Sequence, residues 1–232
     1  MTINYSKHKN ILLQILKDIY SDGAIAPFLG FKGGTAALMF YGLTRNSVDL
    51  DFDLLDENKE QEVFEKINKI SANYGKIVES RIKRFNLINI ISYDIKAQNI
   101  KIEVNRRDFG SKYELKTLLG IPMLVMVKED MFANKIMAMY ERIGKTSRDV
   151  FDVWFFCKNI WPINQAIIEK RAGMPYREVL QKCIDILEKT DNRHILDGLG
   201  ESLAGPQKDW VRAKLRSDTI FFLKMMLKVD EK

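Results

Sequence analysis

The sequence predicts an α+β fold, with a mixed sheet and flanking helices first and a helical bundle after them. Three observations predict it. Up to about Arg107, apolar residues at helical spacing are mixed with Ile- and Val-rich segments of strand character. Glycine turns punctuate that half. After Pro122 only helical spacing remains. The boundary is placed between Leu119 and Val127, with no long linker, so the domains are read as residues 1–121 and 122–232.

Taken in order, Ser6 to Tyr20 reads as an amphipathic helix, with Ile11, Ile15 and Ile19 on one face. "FLGFKGG" carries a short apolar segment into a glycine turn. "TAALMFYG" is a helix with Thr35 near its start and Gly42 at its end. "VDLDFDLL" alternates apolar and acidic residues, the period of a strand. "NKEQEVFEKINKISANYG" is a second amphipathic helix, read as closed by Gly75. "KIVESRIKRF", "LINIISYDI" and "IKIEVNRR" read as strands. "KEDMFANKIMAMYERIG", "SRDVFDVWFFCKN", "INQAIIEKRAG", "YREVLQKCIDILEKT" and "DWVRAKLRSDTIFFLKMMLKV" read as helices of a bundle. In the last of these, "TIFFLKMMLKV" is read as core.

Composition narrows the function classes. The chain has 232 residues, 46% of them hydrophobic, which is enough for a core. A net charge of +6 permits a nucleic acid or a polyanionic small molecule as partner and proves neither. Two cysteines, Cys157 and Cys183, form no disulfide framework and read as buried thiols in a reducing cytosol. His8 and His194 stand far apart, which argues against zinc. The start "MTINYSKHKN" is too polar for a signal peptide, and no apolar run reaches the length of a membrane span. The location expected is the cytoplasm.

The chemistry concentrates in "KGGTAALMFYGLTRNSVDLDFDLL", Lys32 to Leu55. Asp49, Asp51 and Asp53 fall on one face of a strand, where like charges repel. A solvated edge would explain charge but not its uniform sign. A divalent cation explains both. Mg²⁺ takes oxygen ligands and is usually held by one or two carboxylates plus substrate phosphates. Asp49 and Asp51 offer that pair, and Asp53, surplus to it, is read as solvent-exposed. Upstream, Gly33, Gly34 and Thr35 open a helix, whose free N–H groups and positive dipole end suit phosphate. Glu103, between Ile102 and Val104, is either exposed on an open face or buried and paired. Beside a metal it would be a third acidic group, binding an ion or assisting the attacking hydroxyl.

Gly-Gly-Thr, then R-x-S-x-D-L-D-F, then an acid on a later strand, resembles the nucleotidyltransferase superfamily of the DNA polymerase β type. Within it the stretch is similar to the AbiEii/AbiGii toxins of bacterial abortive-infection, toxin–antitoxin systems. "KEDMFANKIMAMYERIGKTSRDVFDVWFF" extends the match through Lys135 and the R-D-x-x-D of Arg148, Asp149 and Asp152, so the resemblance runs from about Phe31 to Phe156. Here Thr35 stands where the superfamily often has Ser, and Glu103 where it often has Asp. The resemblance implies a catalytic nucleotidyltransferase domain over residues 1–121 and a helical domain that contributes Lys and Asp to the site. It implies Mg²⁺ on Asp49, Asp51 and Glu103, and a nucleoside triphosphate cradled by Gly33, Gly34 and Thr35. Lys135 and Lys32 would answer the triphosphate's charge. Asp149 and Asp152, three apart, would orient Lys135 or Arg148 or contact nucleotide. Arg45 would meet phosphate or an aspartate, and Ser47 would shape the turn. Arg142, seven residues after Lys135, shares its helix face and is as readily a solvated charge.

Two classes of function follow. One is an enzyme that passes a nucleoside monophosphate from an NTP to an acceptor hydroxyl. The acceptor implied by the resemblance is tRNA or another RNA, with a small molecule, as in antibiotic nucleotidyltransferases, as the alternative. The other is a nucleotide-binding module without turnover. The intact Gly-Gly-Thr, Asp49, Asp51 and Lys135 favour the enzyme. The resemblance also implies an antitoxin encoded nearby, which need not form a stable complex.

Overall fold

The computed structural model describes residues 4–95 and 97–229; the first three residues of the polar start lie outside them. Two compact units divide the chain, Met1–Asp108 with Lys112–Met126, and Phe109–Ser111 with Val127–Lys232.

The first unit holds helices α1 (Tyr5–Ser21), α2 (Gly33–Tyr41) and α3 (Glu60–Ala72) and seven strands. The strands are β1 (Leu29–Lys32), β2 (Leu50–Leu54), β3 (Lys76–Ile82), β4 (Asn86–Ser92), β5 (Ile100–Asn105), β6 (Tyr113–Leu118) and β7 (Ile121–Met126). They form one sheet in the order β3-β4-β5-β2-β1-β7-β6. β2 runs parallel to β5 and β1 parallel to β7; the remaining neighbours are antiparallel. Leu29, Phe31, Leu50, Phe52, Ile100, Ile102 and Val104 point into one core. α1 and α3 pack over it through Leu12, Ile15, Leu16, Ile19, Val63 and Ile67. The opposite face carries the polar residues.

Three elements depart from the sequence reading. β6 and β7 form a hairpin that the sequence reading did not name. Pro122 sits near the start of β7 opposite Thr117, where a missing N–H costs least. The helix expected to close at Gly75 ends at Ala72 with Asn73 as its C-cap. Gly75 serves a close approach instead, since a Cβ there would lie 2.5 Å from the Ser92 carbonyl oxygen. The acidic strand starts at Leu50, so Asp49 lies just ahead of it.

The second unit is helical: α4 (Lys128–Arg142), α5 (Arg148–Lys158), α6 (Gln165–Ala172), α7 (Tyr176–Lys189), α8 (Gly205–Trp210) and α9 (Arg216–Val229), with a π-helical turn at Val211–Leu215 between the last two. Phe132, Phe151 and Phe156 are fully buried, and Phe156 stacks on Trp161 at 4.0 Å. "TIFFLKMMLKV" is core only in part, because α9 buries Thr219 and Leu223 but leaves Phe221 and Met225 exposed. Cys183 is buried and Cys157 half-buried. Burial pushes both thiols up to about 12, far from the range of a reactive cysteine.

Candidate active site

Alternation builds the polar face. With Leu50 and Phe52 in the core, Asp51 and Asp53 take the other side of β2; on β5, Lys101, Glu103 and Asn105 do the same. Register then decides the neighbours. Lys32, Asp51 and Glu103 form one cross-strand row, and Gly30, Asp53 and Asn105 the next. Asp49 continues the pattern, its Oδ1 accepting from the Lys101 main-chain N–H at 3.4 Å. Among these side chains four carboxylates meet two amines, Lys32 and Lys101, so part of the positive charge that the acidic strand calls for comes from its neighbours in the sheet.

Asp53 is not solvent-exposed as expected. It is buried, with Lys32 Nζ and Asn105 Nδ2 donating to Oδ1 at 2.5 and 2.6 Å and the Tyr113 hydroxyl donating to Oδ2 at 2.5 Å. Those donors come from β1, β5 and β6, so Asp53 ties the sheet together from β2. Gly30 lets Tyr113 reach it, because a Cβ there would lie 2.2 Å from the ring. Asp53→Ala strands a half-buried amine, and breaking such a pair costs about 3 kcal/mol. The expected result is a lower urea midpoint with an unchanged slope.

The glycine turn fixes the acidic segment from behind. Gly33 has φ of +78°, and a Cβ there would fall 2.4 Å from Asp51 Oδ2. The Asp51 carboxylate therefore lies against bare backbone at the start of α2. A Cβ on Gly34 would meet Arg45 Nη2 at 2.8 Å and Ser47 Oγ at 2.9 Å. Arg45 is buried and donates to the Asn46 carbonyl. Thr35 is buried, and its hydroxyl donates to the main-chain oxygen of Asp49. That bond holds the residue where metal chemistry is expected. His8, on α1, braces the same loop: Nε2 lies 2.9 Å from the Val48 carbonyl and Nδ1 2.8 Å from the Tyr93 hydroxyl.

Glu103 is half-buried and fully engaged. Lys101 Nζ lies 2.6 Å from Oε2, and Asn86 Nδ2 donates to Oε1 at 2.7 Å. Burial works against its charge, but the hydrogen bond and charge of Lys101, the Asn86 bond and the field of Lys32 hold its carboxyl below the usual range. Lys101, Asn86, Asn105 and Tyr113 are the polar-face residues that the sequence reading did not name. Parity along "IKIEVN" was the available signal for two of them, since Lys101, Glu103 and Asn105 alternate with Ile102 and Val104.

The second unit carries its own charge cluster. Lys135 on α4 reaches Asp152 at 2.8 Å and Asp149 at 3.2 Å on α5, and Arg142 reaches Asp149 at 2.8 Å. Both carboxylates are buried. Arg148 opens α5 and donates from Nε to the Gly198 carbonyl.

Among the described residues no group of three or more His, Cys, Asp or Glu side chains is arranged to hold a metal ion. A two-carboxylate site does fit. Asp49 and Asp51 follow one another on the polar side, one anchored by Thr35 and the other set against a glycine whose Cβ would fill the space beside it. Two carboxylates plus phosphates is the usual protein share of a Mg²⁺ site.

A mixed sheet with a glycine turn into a helix and acids on the next strand is the arrangement expected from the resemblance to nucleotidyltransferases. Solved structures share the fold. JHP933 from Helicobacter pylori is 18% identical with a TM-score of 0.62, over 100% of this chain and 95% of that one. A candidate nucleotidyltransferase from H. pylori is 19% identical with a TM-score of 0.61, over 100% and 98%. Residues 14–219 match the family described as "Nucleotidyl transferase AbiEii toxin, Type IV TA system", and the chain belongs to that family. No curated protein matches it. A type IV toxin–antitoxin family implies an antitoxin as counterpart. Among the described residues no helix is long and apolar enough to cross a membrane.

Proposed function

We propose that this chain is a Mg²⁺-dependent toxin that transfers a nucleoside monophosphate from an NTP to an acceptor hydroxyl, with RNA, tRNA included, as the acceptor. The observation that carries the reading is Asp51 Oδ2 occupying the space that a Cβ on Gly33 would need, because it brings the acidic strand and the phosphate-type glycine turn to one place. The metal would be held by Asp49 and Asp51 and, when bound, supplies charge stabilisation to the phosphoryl group in transfer. The start of α2, at Gly33 and Gly34, offers backbone N–H groups to phosphate. Thr35 keeps Asp49 in position. Arg45 and Ser47 shape the loop and its approach to phosphate. Glu103, in register with Asp51, completes the acidic group around the metal and assists the acceptor hydroxyl. The acceptor oxygen bonds to the α-phosphorus, the bond from the α-phosphorus to the β-phosphate oxygen breaks, pyrophosphate leaves, and the hydroxyl proton passes to the Glu103 carboxylate and from it to solvent. Most of the catalysis is positioning and electrostatics.

The roles that the family pattern implies for Lys135, Arg148, Asp149 and Asp152 rest on that pattern. What the helical unit adds is that two buried carboxylates hold the Lys135 amine. A net charge of +6 supports an RNA acceptor weakly. The antitoxin is proposed to act without a stable complex, in the cytoplasm.

The test is incubation with Mg²⁺, each α-labelled NTP in turn and total RNA, beside Asp49→Ala/Asp51→Ala. A discrete labelled RNA band, absent in the control, is the expected result and names the nucleotide. Mg²⁺-dependent NTP binding without labelled RNA turns the search to small-molecule or protein acceptors. Failure to bind any NTP overturns the reading.

A further inference from the structure

Lys101 is an amine on the polar face that neither the family pattern nor the proposed chemistry uses. Its place follows from β5. Ile100, Ile102 and Val104 fill the core, so the residues between them face the carboxylates. Its amine is 2.6 Å from Glu103 Oε2, and its main-chain N–H meets Asp49 Oδ1. Glu103 is in register with Asp51, so Lys101 stands beside all three acids. The side chain is only 35% exposed.

A partly buried amine bonded to Glu103, beside Asp49 and Asp51, lowers the repulsion among the three carboxylates, as a metal ion would. It carries the same sign as the metal and engages one oxygen of Glu103, while Asn86 engages the other. Metal and amine therefore draw on one pool of negative charge. We propose that Lys101 is a resident counter-cation that competes with a divalent metal for the Asp49, Asp51 and Glu103 cluster. The apo site is then stable without metal, and loading it requires the amine to give way. The inference rests on the metal reading of Asp49 and Asp51.

The experiment is titration of the full-length protein with Mn²⁺ alone, free Mn²⁺ being followed by its electron paramagnetic resonance signal. Wild type is compared with Lys101→Met, Lys101→Gln, Lys101→Arg and Asp49→Ala/Asp51→Ala, each checked by circular dichroism. Either neutral variant is expected to bind Mn²⁺ about tenfold tighter than wild type, equivalent to about 1.4 kcal/mol. Arginine is expected to restore the weak wild-type affinity, and the double alanine variant to bind none. Neutral variants that bind no tighter than wild type overturn the competition and leave the metal site standing. Absence of binding to both wild type and the neutral variants overturns the metal site and the competition together.

Discussion

Asp51→Asn is expected to lower nucleotide transfer about a thousandfold while the fold survives. Asparagine keeps the shape that sits against Gly33, so the turn between β1 and α2 has no reason to move. What is lost is one negative charge at the place proposed for the metal. Metal-supplied stabilisation of a phosphoryl transition state is worth several kcal/mol, and about 4 kcal/mol is about three decades in rate. Asp53 is the internal control. It is the next residue on the same face of β2, and its oxygens accept from Lys32, Asn105 and Tyr113, bonds that tie the sheet together. Asp53→Asn is therefore expected to act through stability, with transfer per folded molecule within a few-fold of wild type. Initial rates normalised to folded protein by circular dichroism separate the two cases. Asp51→Asn retaining a tenth of the wild-type rate or more would remove Asp51 from the site.

The contrast between Asp51 and Asp53 also marks what the sequence can show. That Asp51 and Asp53 share a face is a matter of parity along one strand, so it is legible locally. Which of them is buried depends on Tyr113, sixty residues later, on a strand the sequence reading did not find. β6 and β7 escaped because Gly120 and Pro122 interrupt the strand pattern, although Gly120, at φ of +81°, is the tip of a hairpin. Helices of the second unit were legible because their periodicity is internal to each segment. The partial exposure of α9 was not, since a Met- and Phe-rich stretch has the same composition whether one face of it or both are covered. Lys101 was within reach of the sequence. Alternation places it beside Glu103, but attention to the acids alone passes over the lysine two residues before.

Lys135→Met is expected to destabilise the protein by about 3–5 kcal/mol, the range for removing one partner of a buried ion pair. Lys135 bridges α4 to two carboxylates on α5, and those carboxylates are 3% and 0% exposed. Arg142 still reaches Asp149 in the variant, so Asp149 keeps a cation beside it. Methionine nearly preserves the volume, which separates the loss of charge from the loss of packing. Asp152→Asn should then recover part of the stability in the Lys135→Met background while costing stability alone, a coupling that a double-mutant cycle in urea measures directly. A single-variant cost below 1 kcal/mol would show that the cluster is solvated and not structural. The outcome governs how Lys135 is to be assigned. If the variant is largely unfolded at assay temperature, lost transfer says nothing of a contact with nucleotide. A role in binding triphosphate then has to be read from Lys135→Arg, which keeps the charge for Asp149 and Asp152 but changes the shape and reach of the cation. Stability close to wild type with transfer lost would support that role.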